Sequence, residues 1–197
     1  MAGQWHPKIS VYETAGMRSR EEEGWNMHQY HGNSEFYADF GTYDVTLNLP
    51  ANYVVAATGS AERETERFGK RKIHRFQATD IHDFAWAASP HFIKKEAALD
   101  LPNDQQVKLH LYLDPAHEHL QDRYWRAANS ALRSYGEWFG PYPYPTLSIV
   151  VPPTGAGGAG GMEYPTLVTA WAADEQDPGY ELERVIVHEI GHQYFYG

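Results

Sequence analysis

The stretch RVIVHEIGHQYFYG, residues 184–197, places His188 and His192 four residues apart, with Glu189 directly after the first. On an α-helix that spacing puts both imidazoles on one face, a turn apart, where both can reach a single ion. Glu189 lies about 100° further round the helix, placed to accept a proton rather than to bind the metal. Zinc held by such a histidine pair brings the pKa of its water towards neutrality, and a carboxylate base beside it completes a hydrolytic nucleophile. The expectation is one Zn2+ ion, with His188 and His192 as ligands and Glu189 as general base. Such a site takes three protein ligands, which leaves one to be found.

The surroundings strengthen this reading. Leu182, Val185, Ile186, Val187 and Ile190 make the segment apolar almost all round, which predicts a buried helix. Two histidines and the acids Glu183 and Glu189 in such a helix need partners or access to water, and a metal supplies them. The other histidines carry less. His117 and His119 flank Glu118, but residues two apart on a helix point to nearly opposite sides, so they cannot grip one ion and are expected to be exposed. His28, His31, His74, His82, His91 and His110 stand singly in strands or loops, with ordinary polar roles expected.

The elements that must position the motif are legible in the hydrophobic pattern. Tyr43, Val45, Leu47 and Leu49 alternate with polar neighbours, and PAN then turns the chain into Tyr53–Ala57, a hairpin pattern. KIHRFQA and IHDFAWAAS are further short runs, and Val107, Leu109, Leu111 and Leu113 repeat the period of two. The basic stretch from Arg67 to Arg75 reads as a solvated strand edge. Strands without an intervening helical period predict a sheet domain or sandwich. At Asp114 the pattern changes: Asp114 and Pro115 are a cap with proline in the first turn. Leu120, Tyr124, Ala128, Ala131, Leu132, Tyr135 and Phe139 then recur at helical spacing. After GPYPYP comes the apolar run TLSIVV, a buried strand, then the glycine loop PPTGAGGAGG and a second apolar run from Thr166 to Trp171. Asp177 and Pro178 repeat the cap signal ahead of the last helix.

Composition sets bounds. Sixteen basic against 26 acidic side chains give a formal charge of −10, which argues against nucleic acid or an anionic membrane as partner. Cysteine is absent, so disulfides and thiolate metal sites are excluded. No apolar run approaches the ~20 residues needed to span a bilayer. Met1–Tyr12 lacks the pattern of a secretory signal. Compartment and oligomeric state stay open.

Which zinc chemistry this is can be narrowed from the sequence. Metzincins carry a glycine three residues after the second histidine, and here that position is Phe195. GGMEYP (160–165) followed by VHEIGHQYFYG resembles the alanyl aminopeptidase family of gluzincin metallopeptidases, which includes the leukotriene hydrolases. EWFGPYPYPTLSIVVPP and HDFAWAASP look like the same family, so the resemblance runs from about Trp25 to Gly197. It implies an α+β chain: residues 1–114 as the end of an N-terminal antiparallel sheet or sandwich domain, and 115–197 as the start of a thermolysin-like catalytic domain. It implies that His188 and His192 are the first two zinc ligands and Glu189 the base. Glu163 matches the glutamate that binds the free α-amine of a peptide substrate, with Gly160, Gly161 and Met162 aligning the peptide backbone. An exposed strand edge suits that task, because an extended peptide can pair with it.

One residue departs from the pattern: Tyr164 stands where the family usually has asparagine, which leaves exopeptidase and endopeptidase specificity both open. The third ligand, a glutamate, and an oxyanion-stabilising tyrosine lie further on in similar proteins. The expectation is therefore a piece of a longer zinc aminopeptidase, with little or no peptidase activity of its own. The alternatives are a zinc endopeptidase or epoxide hydrolase of the same family, or a non-catalytic binding module.

Overall fold

The computed structural model describes residues 1–29, 37–61, 67–102, 104–173 and 178–195. Its main strands are β1 (Gly41–Pro50), β2 (Val54–Ala57), β3 (Arg71–Ile81), β4 (Trp86–Ser89), β5 (Ile93–Asp100) and β6 (Gln106–Leu113). Helix α1 (Gln121–Phe139), strands β7 (Thr146–Val150), β8 (Met162–Tyr164) and β9 (Leu167–Thr169), and helix α2 (Glu181–His192) follow. The fold class is the α+β arrangement that the sequence implies. No helix is long and apolar enough to cross a membrane among the described residues.

A five-stranded mixed sheet, in the order β8-β9-β7-β6-β5, forms the frame of the site. Strands β6, β7 and β9 run parallel, and β5 and β8 close the two ends antiparallel. A parallel neighbour requires a long crossover, and α1 provides it between β6 and β7. Alternation along each strand then divides the side chains. Val107, Leu109, Leu111, Leu113, Leu147, Ile149 and Val168 face α1 and α2, where Leu132, Leu182, Ile186 and Ile190 complete one core. Tyr112, Val150, Tyr164 and Leu167 face the other way, onto Ala56 and Ala87 of the β2–β4 ribbon. Beyond the ribbon lies the β1–β3 sheet, joined to it by Leu47, Val55, Ala57, Phe76 and Phe84.

Several local expectations are corrected. The turn after Pro50 exists, with Tyr53 N donating to Pro50 O at 3.0 Å, but β1 and β2 do not form a hairpin. β1 pairs with β3 and β2 with β4; β1 and β2 lie in different sheets and meet face to face across a core, Leu47 packing with Val55 and Ala57. The basic strand β3 is no edge: β1 flanks it on one side and Ser60–Ala61 and Arg67–Phe68 on the other. Its charge reaches water through the outward-facing Arg71 and Arg75 instead. Asp114 does cap, accepting from Ala116 N at 3.0 Å, but the segment it caps is a 3₁₀ turn, Pro115–Leu120, and α1 starts after it. The last helix begins at Glu181 with Tyr180 at its N-cap, three residues beyond Pro178. Asp177 lies outside the described residues.

β5 and β6, which precede residue 114, pair with each other, and β6 also pairs with β7, which follows it.

Candidate metal and peptide site

Helix α2 is fastened before it carries any chemistry. Arg123 on α1 grips the Glu183 carboxylate with two hydrogen bonds of 2.6 Å and also donates to Gly179 O at 2.9 Å. The guanidinium holds the Glu183 carboxyl below its usual range, and Glu183 raises Arg123 in return. About three turns further along α1, Tyr135 donates to Val187 O at 3.1 Å. A Cβ at Gly191 would come within 3.3 Å of that hydroxyl, so the glycine of HEIGH gives α1 room to lie close.

This docking settles which faces of α2 point where. Leu182, Val185, Ile186, Glu189 and Ile190 are buried, while Arg184 and His188 are exposed. Burial all round the helix, expected from its apolar content, is therefore corrected: the histidine face opens outwards. The Nε2 atoms of His188 and His192 stand 3.2 Å apart, with their rings at 85° to each other. Two ligands of a tetrahedral zinc at about 2.0–2.1 Å lie about 3.3 Å from one another, so this pair has the separation the metal requires.

The second component is the hairpin β8–β9, at the end of the mixed sheet nearest α2. Glu163 sits opposite Val168 in its ladder. One ligand-type atom from each of Glu163, Glu189 and His192 lies within 4.8 Å of the others. Glu189 is 4% exposed. The structure thus brings together residues that are 29 apart in sequence and unrelated by any helical period.

The glycines ahead of Glu163 are shaped by close approach. A Cβ on Gly160 would fall 2.1 Å from Trp171 Cδ1 and 2.7 Å from Ala170 O. Gly161 has φ +69°, in the region glycine favours; a Cβ there would sit 3.7 Å from Glu189 Oε1. Gly161 N donates to Thr169 O at 2.8 Å, extending the hairpin pairing past Met162. β8 has no strand on its outer side among the described residues.

Strand alternation also explains the departure at Tyr164. Met162 and Tyr164 point away from Glu163, into the core beneath the β2–β4 ribbon, with Tyr164 only 9% exposed. Its hydroxyl occupies the space a Cβ of Gly3 would need. Tyr164 therefore packs the sheet and does not project towards the histidines.

Three residues to which sequence reasoning gave no part in the site help to build this region. Gln193, 2% exposed, ties α2 to the β8–β9 turn. Trp171 walls the glycines, and Tyr135 spaces the helices. No motif spacing marks any of them. Their only signal is position, since Gln193 follows the second histidine directly. His117 is a correction: it is buried, not exposed, with Nε2 3.5 Å from Thr154 Oγ1. In a 3₁₀ turn residues three apart eclipse, so His117 lies over the buried Leu120. His119 is exposed as expected. His110 meets Glu96 at 3.0 Å, and His31 lies outside the described residues.

No family model matches the chain, and no curated protein matches its sequence. Among solved structures the chain is similar to a two-domain M1 zinc metallopeptidase, determined as a glutamate-to-alanine variant bound to L-arginine. The fold is shared. Over 80% of this chain and 34% of that one the TM-score is 0.62, with 23% sequence identity. The chain spans about a third of that metallopeptidase's length.

Proposed function

We propose that this chain carries the metal helix and the substrate strand of a zinc-dependent metallopeptidase that releases N-terminal residues from peptides. The observation that supports this best is the convergence of His192, Glu189 and Glu163 within 4.8 Å at the outer edge of a sheet. The shared fold with a zinc metallopeptidase is consistent with it. His188 and His192 would hold the zinc, which supplies Lewis acidity and an acidified water when bound.

The protein's own groups do the rest. Glu189 projects from the same helix, and its carboxylate takes up a proton at the reacting centre. An extended peptide adds to the outer edge of β8 through main-chain hydrogen bonds. The Glu163 carboxylate accepts hydrogen bonds from the free α-ammonium group, which fixes how far the first peptide bond lies from the amine. A peptide running antiparallel to β8 then has its later residues beside Met162, Gly161 and Gly160. The catalytic unit is placed from β5 onwards, since that strand opens the mixed sheet.

The third metal ligand is proposed to come from a later helix, as in the family the sequence resembles. With two histidines alone the 197-residue chain is expected to bind zinc weakly and to hydrolyse peptides little or not at all. The test is Glu189→Gln in the active enzyme that contains these residues. Zinc content should stay at the wild-type level while turnover falls by about 10²–10⁴-fold, the range for losing a general base. Turnover unchanged by the substitution would remove Glu189 from the mechanism.

A further inference from the structure

Gln193 follows the second histidine of the motif, yet its side chain turns away from the histidine face and into the protein. Its Oε1 accepts from Thr166 N at 2.8 Å, and its Nε2 donates to the carbonyls of Glu163 and Tyr164, each at 3.3 Å. One planar amide thus spans the turn between β8 and β9. We propose that Gln193 is a positioning residue that sets the Glu163 carboxylate against the His188–His192 pair, keeping the amine anchor in register with the metal. This rests on the reading of Glu163 as that anchor.

The geometry shows why such a tie is needed. β8 is a three-residue strand, and among the described residues its one strand partner is β9. The turn that follows is strained: Thr166 has φ +60°, a left-handed conformation that a β-branched residue adopts only when its surroundings impose it. Three contacts impose it here. Gln193 holds Thr166 N from the end of α2, Gly59 N donates to Thr166 Oγ1 at 2.7 Å from the far side, and Ser148 N of β7 donates to Thr166 O at 2.8 Å. The turn is clamped between the metal helix and the N-terminal strands.

Of the three, the contact from Gln193 couples the hairpin to the metal. It is adjacent to His192 in the chain, so the link from ligand to anchor runs through one peptide bond and one side chain. A carboxamide is the group that fits, because it presents an acceptor and donors in one plane. Glutamate in its place would keep the acceptor for Thr166 N and lose the donors; methionine would lose both. A displacement of about 1 Å in a positioned group can cost on the order of 100-fold, so a loosened hairpin should be felt in amine recognition before it is felt in metal binding.

The test compares wild type, Gln193→Met and Gln193→Glu at saturating zinc. Calorimetric titration with L-arginine and with Nα-acetyl-L-arginine reads the preference for a free amine, chelator competition reads zinc affinity, and thermal unfolding reads stability. The expected result is unchanged zinc affinity with the free-amine preference reduced about 10-fold or more in the Met variant, and a smaller reduction in the Glu variant. A purely structural role predicts lower thermal stability with the preference intact, and that outcome overturns the proposal. Should the Met variant lack a cooperative transition, the Glu variant, which keeps the shape and the acceptor, decides alone. If wild type itself does not prefer the free amine, the anchor reading of Glu163 falls, and this inference with it. If wild type prefers it and both variants match wild type, only the role of Gln193 falls.

Discussion

His188 Nε2 and His192 Nε2 face each other across 3.2 Å on the outward side of a helix whose other sides are held in the core. That separation follows from helix geometry, while Tyr135 and Arg123 set the helix against α1. Disturbing the outer partners of metal ligands costs about 10- to 100-fold in affinity. Loss of a ligand should therefore cost more than about 100-fold. His188→Ala and His192→Ala are each expected to show this in competition with a chromophoric chelator. Wild-type affinity in both would mean the pair binds no zinc.

Glu163 is expected to act on one class of substrate. In the active enzyme, Glu163→Ala removes the carboxylate that accepts from the α-ammonium group, and a hydrogen bond to a charged group contributes about 1.5–3 kcal/mol. Peptides with a free N-terminus should lose roughly 10- to 100-fold in kcat/KM on that scale, and N-acetylated peptides far less. Equal losses on both would refute the anchor role and favour an endopeptidase.

Gly160 is expected to tolerate no side chain. A methyl group there meets the Trp171 ring and Ala170 O at distances real atoms do not reach, so Gly160→Ala must displace the indole or the strand end. Overpacking of this kind costs about 1–3 kcal/mol. Thermal unfolding should report the loss, and the fluorescence of Trp171, isolated by comparison with Trp171→Phe, should shift with it. An unaltered melting curve would mean the glycine loop readily moves aside.

The Arg123–Glu183 pair predicts a pH dependence of stability. The Glu183 carboxyl lies below its usual range in the folded chain, chiefly through its hydrogen bonds from Arg123. A lowered folded pKa gives stability that is full above the unfolded value of about 4.3 and is lost as the pH falls through the folded value. The Glu183 side chain is 29% exposed, so the contribution is on the order of 1 kcal/mol. Glu183→Gln should lower the melting temperature at neutral pH, and the gap to wild type should close as the pH falls below the unfolded value and through the folded one. A gap that persists in acid would show that Glu183 acts through packing.

The shared face of His188 and His192, the two helices and the apolar strands β6 and β7 were readable from the sequence because each depends on local spacing. Four residues make a helical turn, and alternate residues share a strand face. The partners of the strands were not readable. PAN marked a turn, but whether β1 pairs with β2 or packs against it across a core depends on strands further along the chain, and no local pattern carries that information. His117 escaped for a related reason, since a 3₁₀ turn changes which residues share a face.

At the site, the sequence by itself determined that His188 and His192 share a helix face and that Glu189 stands beside them. The distance from that face to Glu163 was decided by tertiary structure alone. It follows from α2 docking on α1 through Arg123 and Tyr135, and from the amide of Gln193 holding the β8–β9 turn. Tyr164 shows the same division. Its identity reads as a departure from the family pattern, but the pleat of β8 turns it into the core and leaves Glu163 facing α2. Short-range periodicity fixes which groups can act together within an element; packing between elements fixes which of them meet.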